Sequence, residues 1–367
     1  MLRNPSSSRV LALGLVCLAV VGALAALLVW KGNPGNMGIC GACFLRDEAG
    51  ALGLLGKGAP GGPPPPAYVR PELVGLVLGA FVLGLARRRY VARSGSHAST
   101  RLVAGAFMSI GALVFLGCPF RMLQRLGGGD VNAWLGLAGF VPGVLVGLGF
   151  EKKGYGVGST APAPVAVGLH APAIFGGLLL LAGAGVLVGP GLGSGGPAHA
   201  PWTLALGVGL VAGGLLSLTG FCAVSAARQL VAKPKGQLLG AAALVLGYLA
   251  VALATGIFRG GTAGQPIAHT DGLWNALSMS LVGFCGVLAG GCPVRQVVMA
   301  GEGNGDAFVT VLGILLGAAI AHGLGLVSSP ATGPTAFGKV AIGIGWAYGL
   351  VYAGAFVLGR RAPTPAP

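Results

Sequence analysis

Gly38-Ile39-Cys40 is followed six residues later by Arg46, and Gly220-Phe221-Cys222 is followed at the same interval by Arg228. A second motif also occurs twice, as Gly117-Cys118-Pro119-Phe120-Arg121 and Gly291-Cys292-Pro293-Val294-Arg295. Each copy leads into a Gly-rich turn that ends in Asp130 or Asp306. The order is the same in both halves, with Cys40 and Cys118 separated by 78 positions and Cys222 and Cys292 by 70. Repetition of neighbours as well as of cysteines marks an internal duplication. The chemistry suits a soft anion. Thiol sulfur is polarisable, donates a weak hydrogen bond, and bonds to sulfur or selenium when ionised. Arginine supplies a fixed positive charge, and glycine lets a ligand approach the backbone.

The remaining cysteines carry less. Cys43 forms a Cys-x-x-Cys with Cys40, which reads either as a redox pair or as a second thiol on the same path. Cys285 lies seven residues before Cys292 and would share its face if the helix were unbroken. Cys17 sits in an ordinary apolar run and reads as a small packed hydrophobe. Arg46, Arg121, Arg228 and Arg295 serve either as charges facing an anion or as side chains reaching for the interface. Asp130 and Asp306 read as turn caps or arginine partners. His322, inside an apolar run, is either a proton carrier or a packed polar group.

The elements that hold these residues are membrane spans. With 54% hydrophobic and 8% charged residues, the 367-residue chain cannot cover a soluble surface, and its 71 glycines suit helices packed closely in lipid. A crossing needs roughly 20 apolar residues. Ten runs approach this, near residues 10–30, 71–86, 102–123, 134–150, 168–189, 202–226, 237–258, 273–298, 307–327 and 338–359. The expected fold is an all-α polytopic membrane protein, one integral domain over 1–367, with a first half at 1–155 and a second at 165–361. The first run is longer than a signal-peptide core and is read as a retained span. The segment from Lys31 to Arg70 is too long for a plain connector, and its Gly58–Ala67 tract reads as irregular chain.

Net charge is +15, from 23 basic and 8 acidic residues. In alternating runs, 14 of the 23 basic residues fall on one side, which predicts a bacterial inner-membrane protein with both termini cytoplasmic. The basic loop precedes the second motif in the first half, at Arg87–Arg101, and follows the first motif in the second half, at Arg228–Lys235. The halves are therefore expected to be inverted, with Gly-Cys-Pro elements as break points near the midplane.

The stretch Gly35-Asn36-Met37-Gly38-Ile39-Cys40-Gly41-Ala42-Cys43-Phe44-Leu45-Arg46-Asp47, with the two Gly-Cys-Pro-x-Arg elements, Gly220-Phe221-Cys222 and Gly283-Phe284-Cys285, resembles the YeeE/YedE membrane proteins over nearly the whole chain. The Arg-bearing motifs are most similar to the YedE branch of selenium transporters. The resemblance implies short re-entrant helices meeting at a cysteine-lined constriction, with Cys40, Cys118 and Cys292 as a relay and Cys222 as the counterpart of Cys40. It also implies a TusA-like sulfur carrier as a separate cytoplasmic partner. The expected function is import of a small selenium or sulfur species, without enzymatic activity or cofactor. The alternative is a membrane thiol-disulfide oxidoreductase using Cys40 and Cys43. A soft-metal transporter is disfavoured, since cations are repelled by arginine and the runs lack Met, His or carboxylate clusters. The sequence has no phosphate-binding Gly-x-x-x-x-Gly-Lys-Ser loop for direct ATP use.

Overall fold

The computed structural model describes residues 8–56, 65–188 and 197–359. Arg3, Arg360 and Arg361 of the charge pattern, and most of the Gly58–Ala67 tract, lie outside these residues. The described chain is helical, apart from two antiparallel two-residue strands, β1 (Arg93–Ser94) and β2 (Ala161–Pro162).

The helices run in two parallel series. The first comprises α1 (Ser8–Trp30), α2 (Gly41–Ala51), α3 (Pro71–Ala86), α4 (Ala98–Phe115), α5 (Pro119–Gly127), α6 (Asn132–Lys152) and α7 (Val165–Gly183). The second comprises α8 (Trp202–Thr219), α9 (Ala223–Arg228), α10 (Gly236–Thr255), α11 (Gly272–Leu288), α12 (Pro293–Gly301), α13 (Gly305–Gly323) and α14 (Ala336–Gly359). In each series the second and fifth helices are short and follow a motif cysteine. By this order α7 closes the first series and the second begins at Trp202, whereas the expected division placed 165–183 with the second half.

Nine helical stretches among the described residues are long and apolar enough to cross a membrane, with α4–α5, α8–α9 and α11–α12 each counted as one broken span. The tenth apolar run, α3, has 16 residues. The protein is an all-α, multi-pass membrane protein, and the bilayer accounts for its exposed Leu180, Val351 and Phe337.

Loop contacts define two ends. At one end Arg93 and Ser94 pair with Pro162 and Ala161, the His97 amide bonds Val157, and Arg93 bridges to Asn304. Arg87, Arg88, Arg89, Lys152, Lys153 and Lys233 are exposed here, which makes this the basic end. At the opposite end the Val131 amide bonds Gly261, Val69 bonds Val188, and Gly35 lies against Pro266. Following the chain between ends, α1 arrives at the opposite end and α8 at the basic end. Equivalent helices therefore run in opposite directions, as the charge pattern anticipates.

Packing obeys the same symmetry. The most extensive interfaces are α6–α11 with its counterpart α13–α4, and α3–α8 with its counterpart α10–α1. Glycine makes them possible. A Cβ at Gly139 or Gly143 would lie 1.9 Å from the carbonyl oxygen of Ala276 or Ser280. In the mirror interface, a Cβ at Gly313 or Gly317 would lie 2.2 or 2.3 Å from the oxygen of Leu102 or Ala106. Both are Gly-x-x-x-Gly faces whose backbones touch without intervening side chains. The last helices break the symmetry, since α7 packs on α3, α12 and α13, whereas α14 packs on α4, α11 and α6.

Candidate functional site

Each motif cysteine is the N-cap of a short helix, and the backbone repeats with the sequence. Cys40 and Cys222 have φ/ψ of −146/118° and −149/125°. Cys118 and Cys292 have −78/169° and −73/162°. Pro119 and Pro293 each stand at the first helical position, where a missing amide hydrogen costs nothing. The helices before Cys118 and Cys222 end in left-handed residues, Leu116 at φ 62° and Gly220 at φ 63°, whereas the helix before Cys292 ends at Ala289 with φ −90°. Leu116 is strained by its side chain, and its carbonyl is taken by the Arg121 guanidinium.

The cysteines meet as two thiol pairs. The Cys40 thiol lies beside that of Cys118 within the first series, and the Cys222 thiol beside that of Cys292 within the second. The Cys43 amide donates to Cys40 Sγ at 3.3 Å, and the Cys292 amide donates to Cys222 Sγ at 3.3 Å. Cys43 also contacts the Cys40 thiol. All are buried free thiols. The two centres lie close together, since Gly41 abuts the backbone of Pro293 and Val294, and the Phe120 and Phe221 rings meet edge to face at 6.0 Å. Sulfur at the tips of short helices, with backbone amides around it, forms a polarisable surface inside an apolar protein.

Cys285 is placed differently. The helix breaks between α11 and α12, so the unbroken helix on which a face shared with Cys292 depended does not form, and Cys285 is buried within α11. Cys17 is a buried residue of α1 with a packing role.

The four arginines are all engaged. Arg46 binds Asp47 at 2.6 Å, and Arg295 binds both oxygens of Glu302 at 3.0 and 3.1 Å. Arg228 pairs with Glu151 at 2.8 Å on a partly exposed surface. Arg121 donates to the carbonyls of Leu116, Asn36, Gly35 and Pro266, so it ties the Cys118 helix to the segment leading to Cys40. Asp130 forms a fully buried ion pair with Arg125 at 2.6 Å, and Asp306 caps the turn at Ser94–Ser96.

Three glutamines were not singled out from sequence. Gln124 accepts the amides of Gly38 and Ile39. Gln237 accepts the Cys222 amide and donates to Gly220. Gln296 donates to Ala289 and Gly291. The available signal for Gln124 and Gln296 was a glutamine soon after each Gly-Cys-Pro-x-Arg; Gln237 had no comparable mark.

A cavity of about 240 Å³ at the basic end reaches Cys222, with Ser225, Arg228, Lys233 and Gly291 in its wall. A neighbouring cavity of about 290 Å³ is lined by Arg87, Arg89, Arg93, Thr219 and Gly220. No group of three or more His, Cys, Asp or Glu side chains among the described residues is arranged to hold a metal ion.

Fold and site define a polytopic α-helical membrane protein with a duplicated, cysteine-capped centre. No family model and no curated protein matches the sequence.

Proposed function

We propose that this chain is a membrane transporter for a small selenium- or sulfur-containing species, with a selenium compound first and a thiosulfate-like anion second. The observation that carries the reading is the twice-repeated thiol pair, Cys40 with Cys118 and Cys222 with Cys292, held between oppositely directed helix series. An inverted duplication with its polar break points at the centre is a recurrent transporter design. Thiols offer weak hydrogen bonds to a soft anion without the desolvation cost of a fixed buried charge. Because the four arginines are already partnered, they act mainly by holding the cysteine helices, and the exposed basic end draws anions. Import across the inner membrane, cytoplasmic termini and delivery to a separate TusA-like carrier at the basic end complete the reading.

A second reading, thiol-disulfide exchange by Cys40 and Cys43, draws on their mutual contact. Their burial, at 0% and 2% exposure, keeps them from a protein partner and favours transport.

The test is uptake of radiolabelled selenite and thiosulfate by cells lacking their own carriers and expressing the wild type, Cys118→Ala or Cys292→Ala. Uptake lost in both variants at normal membrane expression supports the thiol path and names the element carried. Unchanged uptake in both variants sinks it. Absence of uptake with a Cys40–Cys43 disulfide that forms and breaks in cells favours the oxidoreductase.

A further inference from the structure

A second buried polar centre lies at the opposite end of α2, away from Cys40. Asp47, Glu48, Arg70 and Glu72 are all fully buried. Asp47 receives both guanidinium groups, Arg46 at 2.6 Å and Arg70 at 2.6 Å. Glu72 accepts from Asn33 at 2.7 Å and stands 4.0 Å from Arg70. Glu48 has one partner, the backbone amide of Arg70 at 3.0 Å. The outer oxygens of Glu48 and Glu72 have no partner at all, nor does Arg70 Nη2.

Three carboxylates against two guanidinium groups leave one negative charge in excess. A buried carboxylate without a counter-charge is far more costly than its neutral acid. Glu48 is the member with no guanidinium partner, so the excess charge falls on it. Other groups facing the cluster do not cancel it. Tyr68 and Phe44 present rings to Arg70, His199 stacks on Tyr68 at 4.5 Å, and His322 of α13, with Nε2 unpartnered, lies within electrostatic range of Arg46 and Asp47.

The duplication shows that the fold does not require these acids. Asp47 follows Cys40 by seven residues, as Gln229 follows Cys222, and Glu72 is the second residue of α3, as Gln237 is of α10. In the second series two neutral glutamines serve the backbone of the Cys222 turn and the start of α10: Gln229 accepts from the backbone amides of Gln237 and Leu238, and the Gln237 side chain accepts from the Cys222 amide. The first series replaces this closed neutral arrangement with ionisable groups and orphan oxygens.

We propose that Glu48, in the cluster with Asp47, Glu72, Arg46 and Arg70, is a proton-binding site. With the proton on Glu48 the cluster is neutral and α2 is seated. Release of that proton to water at this end leaves a bare buried charge, which favours displacement of α2. Because α2 begins at the Cys40 cap, proton binding is thereby linked to the position of a site thiol. This linkage rests on the transport reading; the proton site does not.

Infrared difference spectra of the purified protein between about pH 5 and pH 9, bracketing ordinary and raised carboxyl titration, read the site directly. A protonated-carboxyl band that disappears on raising the pH, is missing in Glu48→Gln and persists in Glu72→Gln is the expected result. Glu48→Gln, an isostere of the neutral acid, is expected to keep the wild-type unfolding temperature at the acidic end. No such band, or a band lost in Glu72→Gln instead, overturns the assignment to Glu48. In uptake assays a protonophore is expected to lower wild-type uptake several-fold and to leave residual Glu48→Gln uptake unchanged. A band without any uptake leaves the site standing and removes the transport reading. Glu48→Gln uptake that still collapses with the proton gradient overturns the coupling.

Discussion

Gln124 and Ile39 are joined twice: Gln124 Oε1 accepts the Ile39 amide at 3.1 Å, and Gln124 Nε2 donates to the Ile39 carbonyl. The same oxygen takes the Gly38 amide at 2.9 Å. One side chain of α5 thus closes the backbone of the turn that presents Cys40, 84 positions earlier in the chain. Gln124→Leu leaves these buried groups without partners, at about 1–3 kcal/mol for each. Thermal unfolding in detergent is expected to show the loss, and an unfolding temperature equal to that of the wild type would mean that the turn holds itself.

The Arg125–Asp130 pair is fully buried on both sides, with the guanidinium also over the Phe115 ring at 4.2 Å. Removing one partner strands the other charge, so Arg125→Met and Asp130→Asn are each expected to cost about 3–5 kcal/mol. The double variant is expected to be less destabilised than the sum of the two. Additive losses in the double-mutant cycle would contradict a direct pair.

Gly143 and Gly317 are predicted to be intolerant of any Cβ, since both would collide with a backbone carbonyl of the facing helix. Gly143→Val and Gly317→Val should each abolish monodisperse protein on size-exclusion chromatography. Gly176→Val, where nothing lies within 4 Å, should behave as the wild type. Equal behaviour of all three would show that backbone contact does not set helix spacing.

Cys222 borders a cavity at the basic end, whereas Cys40 and Cys118 are fully buried. In single-cysteine variants reconstituted in vesicles, an impermeant maleimide applied at the basic end is expected to modify Cys222 several-fold faster than either. Faster labelling of Cys40 from that side would place the opening elsewhere.

The spans were legible because long apolar runs are dictated by the solvent they must enter, as in 10–30 against α1. The break points were legible at Cys118-Pro119 and Cys292-Pro293, where a proline beside glycine and cysteine favours the first turn of a new helix. The duplication was visible in the cysteine neighbourhoods and reappears in their backbone angles. What sequence did not reveal was partnership. Arg70 meets Asp47 across 23 positions, and Arg121 spends its donors on carbonyls that any residue could supply. Cys285 was assigned to the path on the assumption of an unbroken helix. The division of halves was read at 165, whereas the helix order groups α7 with the first series; α7 and α14 dock on different neighbours, and docking leaves no local signature.

The glycine faces of α6–α11 and α4–α13 place carbonyl against backbone with no side-chain layer between them. Side chains that interdigitate can slip by a rotamer and let helices shear; bare backbones in register have no such lubricant. These two helix pairs therefore behave as girders. The short cysteine-capped helices are held differently, by polar side chains such as Arg121, Gln124 and Arg125 of α5, which bond to turns and carbonyls outside their own helix.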